Sequence, residues 1–339
     1  MTATEPALGV IGYGYWGPNL VRDLDGLEGV RLARICDPDE RKLKAAREAH
    51  PGVDLTGDTG AVTGAPDLDA VVIAAPAVTH YSLAKEALLA GKHVFVEKPL
   101  ALDVTEGHEL VELSERTGLT LMVGHIFLYH PAVRFMKRFL EEGRAGEVRY
   151  AYSQRLNLGR VRHDENCLWS LAPHDVSLML HLLGRRPVSV TSLGASYLRP
   201  GIEDVVFFTM TFPGDLLGNV HVSWLDPRKV RMFTVVGSEK MLVFDDMTEG
   251  KVKIFDRRVY PATEREVMGY GEELRIHFGE EETPDIEMEE PLLAECRAFR
   301  DSMLGGPPPL SAGRQGLEVL EVLDAASRSM ADGGQPAAV

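Results

Sequence analysis

A doubly wound parallel α/β sheet followed by a mostly antiparallel open sheet is the fold the sequence predicts. Three observations predict it. Short apolar runs alternate with amphipathic stretches as far as about residue 124. A G-x-G-x-x-G turn stands between the first apolar run and the stretch that follows it. From residue 189 onward, six strand-like runs succeed one another with no helical pattern between them. The expected domains are therefore 1–124, α/β, and 125–339, an antiparallel sheet with helices on one face. A chain of 339 residues is long enough for two cores.

In the first half, residues 8–11 read as a short buried strand and 18–24 as a helix. Between them lies Gly12-Tyr13-Gly14-Tyr15-Trp16-Gly17. Gly12 permits the tight turn, Gly14 lets a pyrophosphate approach the backbone, and Gly17 lets helix and strand pack closely. The phosphate charge would rest on the helix N-terminus, the arrangement of a Rossmann dinucleotide site. A second strand over 30–36 ends at Asp37, twenty residues past Gly17. An acid there can accept hydrogen bonds from the ribose hydroxyls of NAD and would repel a 2′-phosphate. Asp37 is also a residue that turns or caps a helix, and Arg41 and Lys42 leave NADP open.

Further strands are expected over 53–55 and 70–75, the latter stopped by Pro76. A helix to residue 90 can be capped by Thr79 and is followed by Gly91. Val94-Phe95-Val96 form a strand buried on both faces, which ends at Glu97-Lys98-Pro99 because proline cannot continue the ladder. A helix over 105–117 and a strand over 120–124 complete the half. Ligands of such sheets bind at the carboxyl ends of the strands. Ala75, Pro76, His80, Glu97 and Lys98 therefore join Tyr13, Tyr15 and Trp16 as candidate cofactor residues. A lysine held there beside an acid can hydrogen-bond a hydroxyl or, if burial lowers its pKa, exchange a proton. An isolated Glu-Lys-Pro also reads as an ordinary surface strand end.

The second half begins with a helix over 131–142, a strand over 147–156 and a helix over 168–183 closed by Gly184. Strands follow over 189–198, 205–212, 218–225, 231–237, 240–245 and 251–256, and helices over 288–303 and 312–330 close the chain, with Ser311 as a cap. The acidic stretch 272–290 reads as a solvated loop and 333–339 as a frayed tail. The strand 205–212 is apolar on both faces, which predicts one face on the core and the other in a subunit interface. In Ser170-Leu171-Ala172-Pro173-His174-Asp175, Pro173 suits a first helical turn. That would put His174 near a helix N-terminus, where a neutral imidazole serves as a base or simply caps.

Lys plus Arg total 36 against 51 Asp plus Glu, a net charge of −15, which argues against nucleic acid or an anionic membrane surface as partner. Cys36, Cys167 and Cys296 form no metal or redox motif, and no metal-ligand spacing accompanies His174 and His181. No signal peptide and no apolar run of membrane-spanning length is evident, so a cytoplasmic protein is expected.

Taken together, Gly12-Tyr13-Gly14-Tyr15-Trp16-Gly17, Glu97-Lys98-Pro99 and His174 resemble the Gfo/Idh/MocA oxidoreductases, over nearly the whole chain. Pro18-Asn19-Leu20, Leu168-Trp169 and Ser223-Trp224-Leu225-Asp226-Pro227 are similar to the sugar-nucleotide branch. This branch holds UDP-N-acetylglucosamine 3-dehydrogenases, their uronate counterparts and deoxysugar ketoreductases. The resemblance implies NAD, a nucleotide-sugar substrate oxidised at a ring carbinol, and Lys98 and His174 flanking that carbinol. It also implies a Lys98–Pro99 peptide that is often cis, and dimers or tetramers built through the open face of the second sheet. His125, Tyr129 and His130 are candidates for the sugar pocket, with Asp175 beside the base. Arg155, Arg160 and Arg162 can hold a diphosphate or form a solvated basic loop. Many members carry an aspartate four residues before the histidine, and here that residue is Ser170. A dTDP-sugar ketoreductase, a free polyol or inositol dehydrogenase, and an idle NAD-binding sensor remain as alternatives.

Overall fold

The computed structural model describes residues 5–159, 161–163, 165–261 and 274–339. Strand β1 (Ala7–Ile11) leads to α1 (Gly17–Asp25), β2 (Arg31–Cys36), α2 (Glu40–Ala49), β3 (Asp54–Thr56), α3 (Gly60–Thr63) and β4 (Ala70–Ile73). Helix α4 (His80–Leu89), β5 (His93–Glu97), α5 (Val104–Thr117) and β6 (Leu121–Gly124) complete the alternation, and a 3-10 turn follows over Ile126–Tyr129. Next come α6 (Pro131–Glu141), β7 (Val148–Leu158) and α7 (Cys167–Leu183). The strands β8 (Ser189–Ala195), β9 (Val205–Thr211), β10 (Leu217–Ser223), β11 (Leu225–Gly237), β12 (Met241–Asp245), β13 (Val252–Pro261) and β14 (Leu274–Glu282) succeed one another. Helices α8 (Pro291–Met303) and α9 (Gly313–Ala331) and the short β15 (Ala337–Ala338) end the chain.

Two compact units result, Met1–Tyr129 with Glu289–Glu321, and His130–Met288 with Val322–Val339. The first is a six-stranded sheet in the order β3-β2-β1-β4-β5-β6, parallel at every pairing. Its central strands are buried on both faces because helices cover both, which is why Ala70–Ile73 and Val94-Phe95-Val96 carry no polar residue. Helix α8 belongs to this unit. It packs on α1 and on the 3-10 turn, and Phe299 meets Phe95 of β5 with ring centroids 5.6 Å apart. The first turns of α9 approach the sheet closely: a Cβ at Gly316 would lie 2.4 Å from Val123.

The second unit is a nine-stranded sheet in the order β14-β13-β12-β11-β7-β10-β9-β8-β15, antiparallel except between β7 and β10. Helix α7 covers one face, contacting β7, β9 and β10. Strand β9 shows the period of two: Val206, Phe208 and Met210 are buried, whereas Phe207 is 50% exposed and stacked on His221 of β10.

Three sequence readings change here. Residues 274–282 are strand, not solvated loop, pairing with β13 despite alternating exposure. The expected frayed tail ends in β15, which pairs with β8. Helix α7 starts at Cys167, with the Asn166 side chain accepting from Trp169 N–H at 3.2 Å. Pro173 is thus inside the helix, and His174 lies two turns from its start rather than in the first turn.

Candidate active site

The carboxyl edge of the first sheet gathers the residues of the G-x-G-x-x-G turn, Asp37, the 75–80 loop and Glu97-Lys98-Pro99. Gly12 has φ +102°, and a Cβ there would meet the Ala74 carbonyl oxygen at 2.4 Å. A Cβ on Gly17 would strike the Gly12 carbonyl oxygen at 2.1 Å, so helix α1 can rise this close to β1 only from glycine. Gly14 is different: the nearest atom to its Cβ position is Lys42 Nζ at 3.9 Å, leaving open space over the turn. Tyr13 is buried and Tyr15 is 90% exposed. Trp16 occupies the cap position of α1, and Pro18 takes the first turn.

Asp37 is buried at the end of β2. Its carboxylate accepts from Tyr13 N–H at 2.8 Å and Asp39 N–H at 2.9 Å, and Lys42 Nζ lies 3.2 Å away. The same acid that can bind a ribose therefore also ties the turn to β2.

Buried His80 links the two neighbouring loops, with Nδ1 2.7 Å from the Pro99 carbonyl and Nε2 3.0 Å from the Ala75 carbonyl. Burial first, and then the Lys98 charge, hold its pKa below the usual value. The Lys98–Pro99 peptide is cis. Glu97 Oε2 accepts the Lys98 N–H at 3.3 Å, and Trp16 donates to the same carboxylate. Burial outweighs these contacts and the Lys98 charge, pushing Glu97 up to about 7.

His125 follows β6, fully buried, with Nδ1 2.7 Å from Gln315 Oε1. Burial, opposed by that hydrogen bond and assisted by Lys98, lowers its pKa to about 4. It is neutral at physiological pH, and with Nδ1–H donating to Gln315 its Nε2 is an acceptor. The Tyr129 hydroxyl instead joins Ser311, at 3.1 Å.

The second unit carries the other candidates. His174 and Ser170 share a face of α7, four residues apart. Asp175, beside them, is buried against β7, where it accepts from Arg155 Nε at 2.6 Å and from the Ser153 hydroxyl. Arg155 is itself 7% exposed. It meets an acid of its own unit, whereas Arg162 pairs with Glu165 at 2.7 Å. His130 caps α6, accepting from Ala132 N–H at 3.1 Å. Arg160 lies outside the described residues.

The NAD-binding Rossmann domain of the Gfo/Idh/MocA oxidoreductase family matches residues 7–125, and the family's C-terminal domain matches residues 133–243. The chain belongs to the Gfo/Idh/MocA family. UDP-N-acetylglucosamine 3-dehydrogenase of Acidithiobacillus ferrooxidans is 27% identical over 318 residues, 92% of this chain and 93% of that protein. A solved structure of the A. ferrooxidans enzyme matches with a TM-score of 0.81 at 25% identity, covering 97% of this chain and 99% of the other. The 2,7-anhydro-N-acetylneuraminate hydratase of Escherichia coli K12 is 28% identical over 228 residues, 62% of this chain. The match spans only 60% of that relative's length.

This Gfo/Idh/MocA oxidoreductase has residues that fit NAD. The space over Gly14 leaves room for a diphosphate beside the N-terminus of α1, and buried Asp37 at the end of β2 is an acid that can accept from a ribose. Gln315 and Ser153 carry no sequence signal for the site, and Lys42 and Ser311 were read only as an opening for NADP and as a helix cap. Their placement at the site depends on tertiary contacts.

Proposed function

We propose that this oxidoreductase transfers a hydride between NAD and a ring carbinol, at C3, of a nucleotide-linked sugar such as UDP-N-acetylglucosamine or its uronate. The observation that carries the reading is the end-to-end likeness to a UDP-N-acetylglucosamine 3-dehydrogenase, across 92% of this chain. The nicotinamide, when bound, supplies the hydride acceptor or donor. The protein has to place the carbinol carbon and manage the hydroxyl proton. His174 takes that proton, and Lys98 polarises the oxygen and stabilises its developing charge. Asp175, anchored by Arg155 and Ser153, holds the turn of α7 that bears His174. Ser170 cannot orient the imidazole as a carboxylate would, so Lys98 carries more of the charge stabilisation. His125 lines the sugar side, with Tyr129 behind it on Ser311, and Arg162 with Arg160 receives the diphosphate. The protein works in the cytoplasm as a dimer or tetramer joined through the Phe207 face of the second sheet.

The test incubates the protein and NAD with UDP- and dTDP-linked sugars, free sugars and myo-inositol while nicotinamide absorbance is followed. Reduction with a UDP-linked N-acetylhexosamine and none with the free compounds supports the proposal. Faster turnover of a free polyol would replace it with the polyol dehydrogenase reading.

A further inference from the structure

Glu295 is an acid in the wrong place for an amphipathic helix. It is 0% exposed within α8, beside Cys296 and one turn from Phe299, and neither carboxyl oxygen has a hydrogen-bond partner among the described residues. An ionised carboxylate there would have lost its water with nothing in exchange, which favours the protonated form.

The packing explains what lies next to it. Phe95 and Glu97 project from the same side of β5, two residues or about 6.6 Å apart. Phe299 and Glu295 project from the same side of α8, four residues or about 6 Å apart. Phe95 and Phe299 meet at 5.6 Å, so β5 and α8 touch one step from each acid. The Glu97 charge is the one that bears on Glu295. Glu97 Oε1 is also sealed and without a partner, and its carboxylate lies against Gly124, where a Cβ would come within 2.9 Å of it.

The surrounding groups give no compensating charge to Glu295. From α1 comes Asp23, bonded by Arg22 at 2.7 Å, and Arg22 also pairs with Glu290 at the start of α8. The 3-10 turn contributes Tyr129, bonded to Ser311, and β5 contributes Glu97 with Lys98 beyond it. Cys296 is a neutral thiol, held up by burial and by these acids.

We propose that Glu295 is a positioning residue that stays protonated next to Glu97, so that when Glu97 ionises the two buried acids carry a single negative charge. That charge resides on Glu97, where Trp16 and the Lys98 N–H receive it, and it joins the phosphate-binding turn to the strand end bearing Lys98. The catalytic meaning given to Lys98 rests on the proposed function, but the protonation of Glu295 does not. Burial and then the Glu97 charge hold Glu295 well above the ordinary carboxylate range. Both groups are raised on folding, so their stabilisation is complete below the unfolded pKa. It is lost as pH rises through about 7 and beyond.

The test compares thermal melting and NADH binding of wild type and Glu295→Gln between about pH 6 and about pH 9. The variant keeps the neutral form at every pH. Its Tm should match wild type within about 2 °C at the acid end and exceed it by roughly 4 °C or more at the alkaline end. NADH affinity should fall about fivefold or more over the same range in wild type and less in the variant. A Tm gap that does not change with pH overturns the proposal. Should Glu295→Gln not fold, wild type can be read directly. The difference in tryptophan fluorescence between wild type and Trp16→Phe should titrate near pH 7. A midpoint in the ordinary carboxylate range near about 4.3 overturns the proposal equally. Neither readout needs turnover, so inactivity toward nucleotide sugars would count against the proposed function alone.

Discussion

The backbone N–H of Tyr13 donates to the Asp37 carboxylate at 2.8 Å, fastening the phosphate-binding turn to the acid that ends β2. One carboxylate thus orders the turn and, with NAD bound, accepts from the ribose. Asp37→Ser should weaken NADH binding about 10- to 100-fold, the worth of one or two hydrogen bonds to a charged group. NADPH should lose less, because the repulsion goes and Lys42, 3.2 Å from Asp37, is released toward a 2′-phosphate. Titrating both cofactors by nicotinamide fluorescence checks this. An equal loss for both would show that Asp37 does not discriminate.

Asp175 and Arg155 form a buried ion pair in the second unit. Asp175→Ala takes from the buried guanidinium the acid it is paired with, at about 3–5 kcal/mol. The Tm should fall on the order of 10 °C. The double change Asp175→Leu with Arg155→Met should recover much of that stability while turnover stays low, because the turn bearing His174 has lost its anchor. Full activity in the double variant would remove Asp175 from the account.

His125 gives a stability change of opposite sense in pH to that of Glu295. Its folded pKa is depressed to about 4, so the unfolded chain binds more protons below neutrality. Stability is present above the unfolded value near 6.5 and is lost as pH falls toward about 4. His125→Asn, which can still donate to Gln315, should melt with a shallower decline over that window. Parallel Tm curves for wild type and variant would mean that His125 is not the titrating group.

The charge of an inserted acid separates the two faces of β9. Phe207 is half exposed beside Leu193, whereas Phe208 is buried. Phe207→Asp should lower the molar mass seen by light scattering at micromolar concentration while changing Tm little. Phe208→Asp should unfold the unit. A wild-type monomer at that concentration would end the oligomer proposal.

The parallel half was legible because its strands are short, largely apolar runs punctuated by Gly, Pro and Asp. The runs ending at Gly12, Asp37, Pro76 and Pro99 mark the sheet's carboxyl edge directly. Strand β14 was not, since Leu-Arg-Ile-His-Phe-Gly-Glu-Glu-Glu loses its alternation among acids and both its faces stay largely wet. The helix over 168–183 was read to within a residue of its start, but His174 was placed in its first turn because Pro173 is a stronger local signal than the Asn166 cap seven residues earlier. At the site, Lys98, Asp37 and the glycines announce themselves through spacing. Glu295 does not: nothing in the pattern of Pro291–Met303 marks this acid out, and its burial comes from the packing of α8 on the first unit.

The most direct test of the central claim is the turnover of Lys98→Met and His174→Ala with NAD and UDP-N-acetylglucosamine or its uronate, measured beside NADH affinity. Each variant should lose about 100- to 10,000-fold in kcat, the usual range for a general acid–base group. NADH binding should stay within about threefold of wild type, because the turn at Gly12–Gly17 and Asp37 hold the cofactor without either side chain. Turnover within a few-fold of wild type in both variants would contradict the account and place the chemistry on other residues.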